Sequence, residues 1–237
     1  GKVFTVATGT TLTIVNALTN NAGLTGFVVE SDGVVLQNST VTNTALATVK
    51  RNSTPLFRQD YTVWSSPVFE PNLRNFSPQT LFNRFSTYDF STSASGAYKQ
   101  EITTNEEVLS KKFVNAKGYL IRMPNNANEV ASGNAQTFEG EFKGVLNNGT
   151  ITIPLFGNVL GTSNGLNLVG NPYPSPININ TFFAENTQLT SGTMYFWRKK
   201  GSASDTNNSI SGYATYNALG MVSADGTIQG QTLTHIK

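Results

Sequence analysis

Nowhere in this chain do apolar residues recur at helical spacing over a long stretch. They come in short β-branched bursts cut off by glycine, proline or asparagine. In the first fifty residues the bursts TTLTIV, GFVVES and GVVLQNSTV are divided by Asn20-Asn21-Ala22-Gly23 and Asp32-Gly33, and read as strands joined by tight turns. A chain punctuated in this way satisfies its backbone by strand pairing, so an all-β fold is expected. The bursts look loosely repeated without a fixed period of matching residues, which suggests a small β-stack, the last rungs of one continuing from upstream.

Between Arg51 and Phe90 the texture changes, with Pro55, Pro67, Pro71 and Pro78 interrupting an aromatic-rich segment that contains DYTVWSSPVF. This places a boundary between N-terminal β-strands, residues 1–50, and a second module, residues 51–237. Ser77 followed by Pro78 predicts a short helix through Leu81 and Phe82, since serine caps a free N–H and proline suits the first helical position. GYLIRM reads as a strand ending at Pro124, which cannot donate to a ladder. In FEGEFKGVLNNGTITIPL, Phe138, Gly140 and Phe142 alternate with Glu139, Glu141 and Lys143, and Asn148-Gly149 between two strand-like runs predicts a hairpin. A short helix near Thr181 to Glu185, a strand in MYFWRKK and a polar loop from Gly201 to Ser211 complete the reading. The expected architecture is an antiparallel β-sandwich or jelly-roll-like domain with an N-terminal β-stack. Because LTHIK at the end is strand-like without a turn signal, the module is expected to be incomplete at its C terminus.

Composition removes several function classes. The chain has no cysteine, so disulfides, thiolate metal sites and cysteine nucleophiles are excluded together. The net charge is +2 and Arg198-Lys199-Lys200 is the longest basic run, which is no footprint for nucleic acid. Charged residues are only 13% of the chain, so its surface is built largely of neutral Ser, Thr, Asn and Gly, as suits an extracellular scaffold. No apolar run is long enough to span a bilayer. Gly157, Gly161 and Gly165 are not followed by the lysine and helix start of a phosphate loop. A single histidine, His235, rules out a histidine-based zinc site and leaves any serine triad dependent on a terminal strand. No cofactor is expected. Calcium needs only oxygen ligands, but Asp32, Asp60 and Asp205 lack the alternating spacing of a calcium loop and read as turn formers.

At DYTVWSSPV, GYLIRMP, GLNLVGNPYPSPI, MYFWRKK and GYATYN the sequence resembles a module of large secreted Bacteroidota cell-surface proteins, the region that commonly precedes a type IX secretion sorting domain. In those proteins the pattern after YATYN continues into a segment resembling PGQGFFV, which this chain lacks. The resemblance implies an extracellular, cell-surface or outer-membrane-associated location and a structural, adhesive or display role. It also implies flanking domains of the same polypeptide and a secretion machinery as partners. No catalytic residue is implied. The strand left unpartnered at the C terminus would be covered by a following domain or another chain.

A ligand site, if present, would take glycans. Asn171 and Tyr173 of GNPYPSPI suit hydrogen bonding and stacking on a sugar, and Trp64, Tyr195, Trp197, Tyr213 and Tyr216 could form an aromatic platform. The structural alternatives are that Pro172, Pro174 and Pro176 pre-set a rigid corner and that Trp64 and Trp197 belong to the core. Glu139 and Glu141 share a strand face as a glycosidase pair might, but Lys143 continues that face, as on a solvated strand. Glu106 and Glu107 would point to opposite faces of a strand. The expected function is a non-enzymatic structural or connector module, with a carbohydrate-binding or adhesive module second and a glycoside hydrolase or protease fragment third.

Overall fold

The computed structural model describes residues 2–89, 97–129, 131, 133–156, 165–186, 193–199, 211–217, 220–222 and 235–236. The N-terminal part holds β1 (Phe4–Val6), β2 (Thr11–Ile14), β3 (Phe27–Val29), β4 (Val34–Gln37) and β5 (Leu46–Asn52). After it come β6 (Tyr61–Trp64), α1 (Leu73–Phe76), β7 (Phe85–Asp89), β8 (Ala97–Gln100), β9 (Tyr119–Arg122) and β10 (Glu139–Val145). The remainder is β11 (Ile177–Asn178), α2 (Ile179–Glu185), β12 (Thr193–Lys199), β13 (Ser211–Asn217), β14 (Gly220–Val222) and β15 (His235–Ile236). The fold is mostly strands in several sheets.

The first five strands stack in parallel. Phe4 lies beside Phe27 and Thr11 beside Val34, so both pairs share one translation of 23 residues. β3 then pairs in parallel with β5. The corner between β3 and β4 is a tight turn: Asp32 takes a positive φ of 63°, and Gly33 N–H donates to Glu30 O at 2.8 Å. Asp32 acts there as a turn former, as its sequence context predicts. Val6, Phe27, Val29, Val35, Ala47 and Val49 point inward from these rungs.

β5 changes the character of the sheet. Its other edge pairs antiparallel with β10, Val49 opposite Phe142, giving the strand order β1-β3-β5-β10. The boundary expected between residues 50 and 51 falls inside β5, and a single buried cluster runs from Val6 through Trp64, Phe85 and Tyr119 to Leu146. A second four-stranded sheet, β6-β9-β7-β8, is antiparallel throughout and turns Trp64, Phe85, Tyr119 and Ile121 into that cluster. β12-β13-β14 and β11-β15 form smaller antiparallel sheets, with β15 paired to β11.

Three local expectations are corrected. The chain bends at Gly149, which sits at φ 75°, but residues 151–156 form no strand, so there is no hairpin. The strand partner of β10 is β5, on one edge of it, and near its end Phe69 N–H donates to Val145 O at 2.8 Å. Asn148 instead donates its amide to Ser39 O and Val41 O at 2.7 and 2.8 Å. The helix expected from Ser77 lies one turn earlier: Asn72 caps α1 by accepting from Asn75 N–H at 2.9 Å, and Ser77 closes its C-terminal end. Phe82–Arg84 forms only a 3-10 turn. Glu106 and Glu107 open another 3-10 turn rather than sitting in a strand. The C-terminal helix, by contrast, covers its expected site at Ile179–Glu185, with Asn178 accepting from Thr181 N–H at 3.0 Å.

Candidate functional site

β10 builds the centre of the molecule from its alternation. Phe138, just before the strand, Gly140 and Phe142 face inward, and Phe142 is fully buried. The missing side chain at Gly140 leaves a slot filled by the Phe76 ring of α1: a Cβ on Gly140 would lie 2.3 Å from Phe76 Cε2. That ring stacks on Phe142 at 4.5 Å between centroids and meets Trp64, Phe113 and Phe138 edge-on at 5.0, 5.3 and 5.6 Å. Edge-to-face and offset-stacked arrangements of this kind suit the quadrupoles of the rings.

The outward face of β10 is ionic. Lys50 on β5 bridges Glu30 at 3.3 Å and Glu139 at 3.5 Å, and Glu141 pairs with Lys143 at 2.6 Å. The hydrogen bond with Glu30 holds the Lys50 ammonium above its ordinary pKa despite some opposing desolvation. Both carboxylates proposed as a hydrolytic pair are thus engaged by lysines, Glu139 by Lys50 across the β5–β10 ladder and Glu141 by Lys143 on its own strand.

The Pro-rich corner sits where the N-terminal stack meets β10. Asn171 is buried and closes the corner on itself, accepting from Tyr173 N–H at 2.9 Å and donating to Ser175 O at 2.7 Å. Tyr173 donates its hydroxyl to Gly149 O at 2.7 Å, and burial raises its phenol pKa. Pro172 O accepts from the Asn147 amide at 2.9 Å, while Pro174 O accepts from Val35 N–H of β4 at 3.1 Å. One turn therefore holds both the last residues after β10 and a rung of the stack.

The model of a family described as a domain of unknown function, DUF8693, matches residues 1–234. The chain belongs to the DUF8693 family. No curated protein and no solved structure matches it.

Within this DUF8693 domain the remaining aromatic candidates part company. Trp64 is buried in the core, at 8% exposure. Tyr195 on β12 is 49% exposed, whereas Trp197 is half-buried and donates its indole N–H to Tyr61 O at 3.4 Å. Tyr216 is buried, bonds the Asn180 amide oxygen and stacks on Phe183 at 5.4 Å. Asp60 is a buried turn former that accepts from Phe57 N–H at 2.9 Å. Asp205 and the side chains of Tyr213 and His235 lie outside the described residues. Among the described residues, no group of three or more His, Asp or Glu is placed to hold a metal.

Buried asparagines are the functional residues that sequence reasoning passed over. Asn147 spreads one amide over Ser66 O at 3.2 Å, Asn115 Oδ1 at 3.3 Å and Pro172 O at 2.9 Å. Asn43 accepts from Leu18 N–H at 2.8 Å and donates to Leu146 O at 3.2 Å, tying the stack to the end of β10. In an Asn-rich chain these positions look like any other turn residue. What sets them apart is burial, which follows from non-local packing.

Proposed function

We propose that this DUF8693 domain is a non-enzymatic connector in a secreted, surface-displayed protein exported by a type IX-like route. It joins an upstream β-stack to domains that follow it in the same polypeptide. The observation that carries this reading is the double grip of the Pro-rich corner, on Val35 of the stack and on Asn147 beyond β10. A backbone pre-set by three prolines loses little entropy when it is held, so such a corner fixes orientation cheaply. The continuous ladder from parallel rungs through β5 into β10 supports the same conclusion. The finer architecture we propose is a sandwich in which β1-β3-β5-β10 and β6-β9-β7-β8 face each other, since Trp64 and Phe142 meet at 6.4 Å.

The non-enzymatic reading is supported by the lysine pairing of Glu139 and Glu141. It is further supported by a shallow groove of about 320 Å³ near Ser77, Met123 and Phe138, whose lining carries no titratable side chain. Stretching the domain between its two ends in an optical trap tests the connector. A single cooperative rupture that releases the stack and the core together is expected. Separate release of residues 1–50 at low force contradicts it.

The exposure of Tyr195 favours a second reading, a carbohydrate-binding module. Saturable binding on a glycan array that is lost in Tyr195→Ala would establish it. Absence of binding by the unaltered domain would remove it.

A further inference from the structure

The outer face of the β6-β9-β7-β8 sheet carries a cluster of positive charge. Tyr61 lies opposite Arg122 in the β6–β9 ladder, and the pairing of Phe85 with Ile121 sets Arg84, the residue before β7, on the other side of Arg122. Arg122 is only 7% exposed, an unusual place for a guanidinium. Its two terminal nitrogens donate to neutral acceptors, Gln59 Oε1 at 3.1 Å and Asn125 Oδ1 at 3.2 Å. Its Nε is buried with no hydrogen-bond partner among the described residues. The same holds for the Nε of Arg84 and of Arg58. Arg58 pairs with Glu129. The Arg84 side chain makes no hydrogen bond or ion pair among the described residues. Desolvation lowers the pKa of Arg122 most, and the charges of Arg84 and Arg58 lower it further against an opposing pull from Tyr61, so each of those two arginines is near enough to repel Arg122.

Three guanidiniums held close with Glu129 as the paired carboxylate, and with a buried N–H on each left unmade, are costly unless something else is bound there. The fork of an arginine matches the paired oxygens of a carboxylate, sulfate or phosphate. We infer that Arg58, Arg84 and Arg122 form a binding site for an oxyanion, either a free inorganic anion or the acidic substituent of a glycan. Arg122 provides the buried floor, held in place by Gln59 and Asn125. Arg84, half-exposed and uncommitted, is the arm that reaches the ligand. The site does not depend on the connector reading.

Isothermal titration calorimetry of the whole chain with sodium sulfate, at fixed ionic strength in chloride, tests the site. Saturable binding is expected, weakened at least tenfold in Arg84→Gln and unchanged in Lys2→Gln, which removes an exposed charge elsewhere. Arg84→Gln breaks no bond among the described residues, so its thermal melt in chloride should match that of the unaltered domain. Absence of saturable binding, equal binding in Arg84→Gln, or equal weakening by both variants would overturn the assignment. Repeating the titration with glucose 6-sulfate separates the sources. Tighter binding than inorganic sulfate assigns the site to a sulfated sugar, and weaker binding assigns it to a free anion.

Discussion

Replacing Gly140 by alanine should destabilise the domain, against the usual benefit of removing a strand glycine. Where the backbone permits it, Gly→Ala stabilises by roughly 0.4–1 kcal/mol through the unfolded state. The strand conformation at Gly140 is open to alanine, so backbone strain does not enter. The obstacle is the Phe76 ring, whose Cε2 and Cζ would lie 2.3 and 2.4 Å from the new methyl. That ring has nowhere to retreat, packed as it is among Trp64, Phe113, Phe138 and Phe142. Overpacking of a filled core costs about 1–3 kcal/mol. After the entropic gain, a net loss of roughly 1–2 kcal/mol remains, or about 2–8 °C in Tm for a domain of this size. Urea denaturation of Gly140→Ala, Phe76→Leu and the double variant measures it. In the Phe76→Leu background the smaller side chain leaves room for the methyl, so the alanine should cost less than about 0.5 kcal/mol. A neutral or stabilising Gly140→Ala, or an equal cost in both backgrounds, would refute the reasoning.

Two further perturbations address different forces. Asn147→Ala strands the buried carbonyls of Ser66 and Pro172 and should cost about 1–3 kcal/mol in urea denaturation, more than Asn148→Ala at the adjacent, less buried position. Glu107 is held down to a pKa of about 2, first by the Thr103 hydroxyl and then by its N–H. Because the folded value lies below the ordinary 4.5, its contribution to stability is complete above that pH and is lost as pH falls towards about 2. An NMR titration should show this depressed midpoint and its upward movement in Thr103→Ala; a midpoint at the ordinary value would refute the assignment.

Strand content was legible because β-branched bursts between turn residues have few alternatives, and the β-stack and the helix at Ile179–Glu185 followed from local patterns. The alternation of Phe138, Gly140 and Phe142 was legible too, but not the reason for the glycine, since Phe76 arrives from a distant helix. Asn148-Gly149 misled for a related physical reason. The turn preference is local, whereas the strand partner of β10 is β5, far earlier in the chain. At Ser77-Pro78 a good capping pair was outcompeted by Asn72, whose amide also donates to Val108 O and Lys111 O. Arg58, Arg84 and Arg122 carried no signal at all, because their proximity depends on the β7–β9 register and on the turns that precede β6 and β7. The core placement of Trp64 was foreseen from the energetics of buried aromatics, while the opposite exposure of Tyr195 depends on how β12 lies beside β6.

A connector requires the stack and the core to be one unit, held by the Pro-rich corner and the β5–β10 ladder. Native-state hydrogen exchange with increasing urea measures this directly, residue by residue. The amides of Val29 and Val35 in the stack and of Phe142 in β10 should merge into one global opening with a common free energy and urea dependence. Exchange of Val29 and Val35 through a separate, lower-energy opening while Phe142 stays protected would contradict it.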